Sequence, residues 1–213
     1  MANANKPCGF KPVKNITGAD WDGRGNAYWI SKSNTDVIRV GDPVTKDMAI
    51  ATAIDTKYGT LPIKLAASTS IIVGVVVAVG ATKSGPYADP MDLTKNYAPA
   101  TKSKDYWALV CDDPNVIYEI QEEKGTLQIA GSYQGCNQIF VADTPATTLA
   151  AGQTISGYQL ACTTTGAPAN TTFDVKLLGL AQRSDNTYGA YAKWLVKLTQ
   201  PMMGTTAGFA IQS

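Results

Sequence analysis

Apolar and polar residues alternate most regularly in two stretches of the chain. Across 108–123 an apolar run gives way to Asp112, Asp113, Pro114 and Asn115; Val116, Tyr118 and Ile120 then fall on one side and Glu119 and Gln121 on the other. Asp and Asn bond their own backbone and proline presets φ, so 112–115 reads as a polar turn between strands. Across 177–198 the pattern breaks at Ser184 to Thr187, after which Trp194, Val196 and Leu198 alternate against Lys193 and Lys197. A period of two with one polar side predicts antiparallel strands, buried on one face and wet on the other. These segments describe a framework, with no reactive group embedded in it.

Shorter strand candidates lie at 27–31, 37–40, 63–66, 71–79, 127–130, 138–142, 158–162 and 172–180, beside 106–111, 116–121 and 190–199 within the two stretches. Gly, Pro and Asn separate most of them. Many short strands with such punctuation predict a mainly β fold, an antiparallel β-sandwich or barrel with long loops and little helix. Segment 71–79 is apolar without alternation, which requires cover on both faces, by core on one side and by another sheet or subunit on the other. Only 47–54 and 90–96 carry helix signals, a turn or two each.

Around this domain, taken as 21–200, the ends read differently. Residues 1–20, with Pro7, Gly9, Pro12 and Gly18, predict an extended N-terminal arm. Its Phe10 and Val13 would be wasted in solvent, so they either pack on their own domain or reach a neighbouring subunit. From 125 to 170 the sequence loosens into Gly, Ala, Thr and Ser, reading as long loops or a loop-rich knob. The C-terminal tail, 201–213, either docks Phe209 and Ile211 on a neighbour or is mobile.

Composition narrows the function mainly by exclusion. Charged residues make up 16% of the chain and apolar ones 45%, so much of the surface is small and uncharged polar. Eighteen basic and 17 acidic residues leave a net charge of +1. The densest basic stretch, Lys95 to Lys104, reads as a solvated loop. Nucleic-acid binding, which draws its affinity from neutralised phosphates, is not expected. The longest apolar run, 71–79, is far short of the roughly 20 residues of a membrane-spanning helix, and no membrane partner is expected. The N-terminus has no apolar stretch of the secretory kind, which predicts synthesis in the cytoplasm.

Histidine is absent. That removes Ser-His-Asp, Cys-His and His-bound metal chemistry together. The cysteines, at 8, 111, 136 and 162, lack paired spacing; they read as reduced thiols, with Cys111 a buried small hydrophobe. Asp112 with Asp113, and Glu119, Glu122 and Glu123, are the candidates for a carboxylate pair, but they read as turn and strand-end residues facing solvent. The oxygen donors of Asp20 to Asn26 lack the spacing and terminal Glu of a calcium loop. No enzyme activity, catalytic residue, metal, cofactor or small-molecule substrate is expected. Tyrosines and tryptophans in polar surroundings suit protein contact or carbohydrate stacking.

The ordered segments, together with Ala2-Asn-Ala-Asn-Lys-Pro-Cys-Gly-Phe-Lys-Pro-Val13, Val40-Gly-Asp-Pro-Val44 and Gly74-Val-Val-Val-Ala-Val79, resemble the head decoration, or cement, proteins of tailed bacteriophages. The resemblance covers scattered blocks over the full length, leaves 125–170 unmatched and departs from the family pattern at Cys8. It implies a structural virion protein on the capsid exterior, made in the host cytoplasm. Such a protein stabilises the assembled head by bridging major capsid protein subunits, as a homo-oligomer, with a trimer ahead of a dimer. The expected capsid or inter-subunit contacts are Lys6, Pro7, Phe10, Lys11, Pro12 and Val13 in the arm and Phe209 and Ile211 in the tail. Near-zero net charge predicts attachment with shallow salt dependence. Removal of residues 2–13 should weaken attachment and leave the fold intact. The alternatives are a virion-surface lectin-like module and a tail or connector component.

Overall fold

The two regular stretches, so alike in sequence, are used differently by the fold. In the computed structural model, which describes residues 3–50, 62–67, 70–81, 97–123, 137–138, 140–141, 155–160, 174–199 and 201–202, the 112–115 turn carries the chain from one sheet to another, whereas 181–192 closes a true hairpin. In chain order the strands are β1 (Lys11–Asn15), β2 (Asn26–Ile30), β3 (Ile38–Arg39), β4 (Pro43–Lys46), β5 (Ile63–Leu65), β6 (Gly74–Ala81) and β7 (Tyr97–Ala98). They continue with β8 (Tyr106–Cys111), β9 (Val116–Gln121), β10 (Asn137–Gln138), β11 (Phe140–Val141), β12 (Gln159–Leu160), β13 (Val175–Leu180) and β14 (Lys193–Leu198). Met48–Ile50 makes one turn of 3-10 helix within the expected 47–54. The expected strand at 127–130 and helix at 90–96 lie outside the described residues.

The fold is a mainly β, antiparallel sandwich. The first sheet has the order β1-β9-β14-β13-β10 and the second β2-β8-β6-β4-β5; β3 with β7 and β11 with β12 form two short ribbons. Inward residues of both sheets meet in one apolar cluster that includes Val116, Tyr118, Ile120, Trp194 and Val196 from the first and Val75 and Cys111 from the second. Tyr118 ties the layers together, donating its buried hydroxyl to the Cys111 carbonyl at 3.1 Å.

Strand β6 is covered on both faces, as its unbroken apolar text requires. Val75 enters the interlayer, while Val76 and Val79 join a second cluster with Ile30, Ile38, Val44, Ile63, Ala98 and Val110. The second sheet curls, bringing its edge strands β2 and β5 together without closing a barrel. Ile38 and Ala98 of the β3–β7 ribbon reach this cluster, and the loops beside them are held by Lys102. Read from sequence as part of a solvated loop, Lys102 is instead buried, its Nζ donating to the carbonyls of Asn34 at 2.7 Å and Asp36 at 2.9 Å. An ammonium with two carbonyl acceptors can be buried where a bare one could not.

Candidate docking surface

The N-terminal arm is fastened to its own domain from its first described residue. Asn3 donates to the carbonyls of Thr187 at 2.7 Å and Ala190 at 3.0 Å, and its Oδ1 accepts from the Thr187 N–H at 2.9 Å. The Lys6 N–H donates to Gln121 Oε1, whose Nε2 donates to Asn5 Oδ1. Phe10, expected as a contact to another subunit, is only 1% exposed and packs edge-to-face on Tyr118 with ring centroids 6.1 Å apart. It is a core residue, because a ring that the arm cannot solvate fills the interlayer between sheets. Lys6 and Lys11 are exposed, and Pro7, Pro12 and Val13 are half-buried. Phe209 and Ile211 lie outside the described residues.

From Lys11 the arm becomes β1 and pairs with β9, an element that the polar, proline-bearing sequence concealed. Its outer edge is closed in part by the chain folding back: the Trp21 N–H donates to the Val13 carbonyl at 3.1 Å and the Asn15 N–H to the Ala19 carbonyl at 2.7 Å. Pro12 has no N–H to offer, which blunts the rest of the edge.

Three of the sequence blocks that carry the family resemblance converge at one joint. Gly9 (φ 66°) and Gly41 (φ 91°) cross so closely that a Cβ on Gly9 would strike Ser156 and the Gly41 carbonyl, and one on Gly41 would strike the Cys8 carbonyl. The Phe10 N–H donates to the Gly41 carbonyl, the Gly41 N–H to the Val76 carbonyl and the Val76 N–H to the Asp42 carbonyl. Asp42 is buried here and accepts from the Arg39 N–H at 2.7 Å. Burial raises its carboxyl to about 6, against the smaller opposing effects of Ser156 and the Arg39 N–H. The Gly-Asp-Pro-Val turn is therefore a packing joint between arm, β4 and β6.

The outward face of the first sheet carries most of its polar side chains in register. Register sets Lys14, Ile117, Lys197 and Lys176 in one row across β1, β9, β14 and β13, and Lys11, Glu119, Leu195 and Gly179 in the next. Lys193 stands beside Gln121 beyond them. The face expected to be wet along β9 is closed: Glu119 is 6% exposed, Gln121 1% and Ile117 6%. Arg183 covers Glu119 with an ion pair of 2.9 Å, the arm covers Gln121, and Ile117 lies between two lysines whose methylene stems shield apolar surface. Arg183 also pairs with Asp185 at 2.9 Å, and Lys193 approaches Asp185 at 3.9 Å.

Three other carboxylates named from sequence, Asp112, Asp113 and Glu122, are framework groups. Asp113 Oδ1 accepts from the Asn115 N–H at 2.8 Å, making the expected turn. Asp112 accepts from Asn26 and from the Tyr28 hydroxyl at 2.8 Å; Lys46 lies 4.3 Å over the same ring. Burial, with Asp112 second, raises the Tyr28 phenol above its ordinary range. Glu122, read as a solvent-facing strand end, is fully buried and accepts from the Trp194 indole N–H at 2.9 Å. Asn186 plugs the hairpin, donating to the carbonyls of Ala181 and Lys193 and accepting from the Lys193 N–H at 2.8 Å. Its position in a turn was legible, its burial was not. Cys8 and Cys111 are free thiols, Cys111 buried in the interlayer; Cys136 and Cys162 lie outside the described residues. Among the described residues no group of three or more His, Cys, Asp or Glu side chains could hold a metal ion. Comparison of the chain with protein-family models, curated proteins and solved structures finds no match.

Proposed function

We propose that this protein is a structural component of a phage virion that binds the outside of the assembled head and clamps major capsid protein subunits. The observation that carries the reading is the outward face of the first sheet. It is a polar surface on a doubly layered β framework, anchored by a stapled arm and a plugged hairpin. A rigid surface loses little conformational entropy on docking. A clamp of this kind stabilises the assembled state by mass action, since it binds the lattice and not the loose subunit. Self-association at a local symmetry axis, as a trimer ahead of a dimer, would let weak contacts act together.

The lectin-like alternative draws less support. Of the tyrosines and tryptophans, Trp29 and Tyr158 are among those buried, and among the described ones Tyr188 alone stands more than half exposed, at 51%. The test is reconstitution. Heads made without this protein should bind it at saturable copy number and survive heating longer when it is bound. Heads that neither bind it nor gain stability would reject the proposal.

A further inference from the structure

Lys176 and Lys197 stand directly opposite each other across β13 and β14, and Lys14 lies in the same row beyond Ile117. Like charges at directly opposed positions destabilise a sheet, and a threonine or glutamate at either place would remove that cost. With Lys11, Lys193 and Arg183 added, the face and its rim hold six cations. Three carboxylates accompany them: Glu119 and Asp185, both paired to Arg183, and Asp20, bridged to Lys14 through the backbone ladder. A chain with a net charge of only +1 thus gathers positive charge on one face. Three strand spacings make the row about 14 Å wide, and 193–197 makes the patch about 13 Å tall.

We propose that this face docks on an acidic protein surface of the assembled coat, with carboxylates placed opposite Lys176 and Lys197. The inference rests on the decoration reading above and adds the chemistry of the partner. Nucleic acid fits the face less well. None of the outward residues in the two rows is aromatic, so bases find no stacking platform along them, and carboxylates stand among the lysines. Half-buried Leu195 between the cations suits a protein surface that mixes apolar and charged groups. Attachment should then depend steeply on salt, contrary to what the net charge alone implies.

The experiment titrates the full-length protein, wild type, K197E and K197Q, onto heads lacking it, at about 50 and about 500 mM sodium chloride. Expected is wild-type binding that weakens about tenfold or more over this range, with K197E at least about tenfold weaker than wild type at low salt and K197Q between them. K197E should melt no lower than wild type, since it converts a like pair with Lys176 into an opposite one. Wild-type binding unmoved by salt and by both variants would overturn the acidic-surface inference and leave the decoration reading standing. No wild-type binding at either salt would overturn both. Tighter binding to a short DNA duplex than to heads, or self-association abolished by K197E, would assign the face to nucleic acid or to a second copy, and so overturn the inference.

Discussion

The two five-stranded sheets share one apolar interlayer but treat their other faces in opposite ways. The second sheet curls, and its far face becomes a second core of Val, Ile and Ala, with Ile38 and Ala98 of the β3–β7 ribbon packed into it. The first has no second core on its far face among the described residues and lines that face with lysines, one paired glutamate and a few shielded apolar groups. The contrast shows where each sheet's contribution lies. Burial on both faces makes the second sheet the stiff support, and polar dress on one face makes the first the presenting surface.

A charge placed on each sheet's far face tests this contrast most severely. Val110→Lys would bury an unpaired ammonium in the second core and should cost more than about 4 kcal/mol, enough to prevent folding. Leu195→Lys on the first sheet should cost within about 1 kcal/mol. Equal melting temperatures for the two variants would erase the distinction between the sheets. The next largest effect concerns the layer they share. Phe10→Ala should lose about 3–5 kcal/mol, measured by denaturant unfolding, because it empties the space against Tyr118. The same packing corrects the expectation for removal of 2–13, which should lower stability as well as attachment, since Phe10 and β1 are parts of the body.

Asp42 sharpens the comparison through pH. Its folded-state pKa of about 6 lies above the ordinary 3.8, so the folded chain holds the proton more tightly than the unfolded one. The associated stability is complete below about pH 4 and is lost as pH rises through 6, by up to about 3 kcal/mol. Asp42→Asn keeps an acceptor for the Arg39 N–H and carries no charge. Relative to wild type it should therefore gain stability between pH 4 and 7, and parallel pH profiles for the two proteins would contradict the burial account. A smaller loss is expected at the hairpin of the presenting sheet. Asn186→Ala leaves two carbonyls and one N–H without their side-chain partner and should cost about 1–3 kcal/mol. Amide exchange should quicken around 181–193 and remain slow in β6.

Much of the framework was legible because strand alternation is local. Tyr106–Cys111 and Val116–Gln121 were readable to their ends, and Val175–Leu180 and Lys193–Leu198 lie within the segments expected. Strand β1 was not legible, since its Lys-Pro-Val-Lys-Asn text has no apolar alternation and forms a strand only by pairing with β9. The burial of Glu119, Gln121, Glu122 and Lys102 was hidden for a related reason. Each is covered by a partner distant in sequence: Arg183, the arm, Trp194 and the 34–36 loop. The docking face was half visible, in Lys193 and Lys197 alternating with Trp194 and Val196. That Lys176, Lys11 and Lys14 join them depends on register alone.

By itself the sequence determined the mainly β character, the double cover required by the 71–79 segment, and the loss of histidine chemistry. Each of these follows from which residue types occur and how they recur along a pleated strand. Tertiary structure alone decided that 112–115 changes sheets while 181–192 closes a hairpin, that Phe10 belongs to the core, and that scattered lysines form one surface. Those outcomes depend on which strands pair and in what register, and pairing brings together residues more than a hundred positions apart.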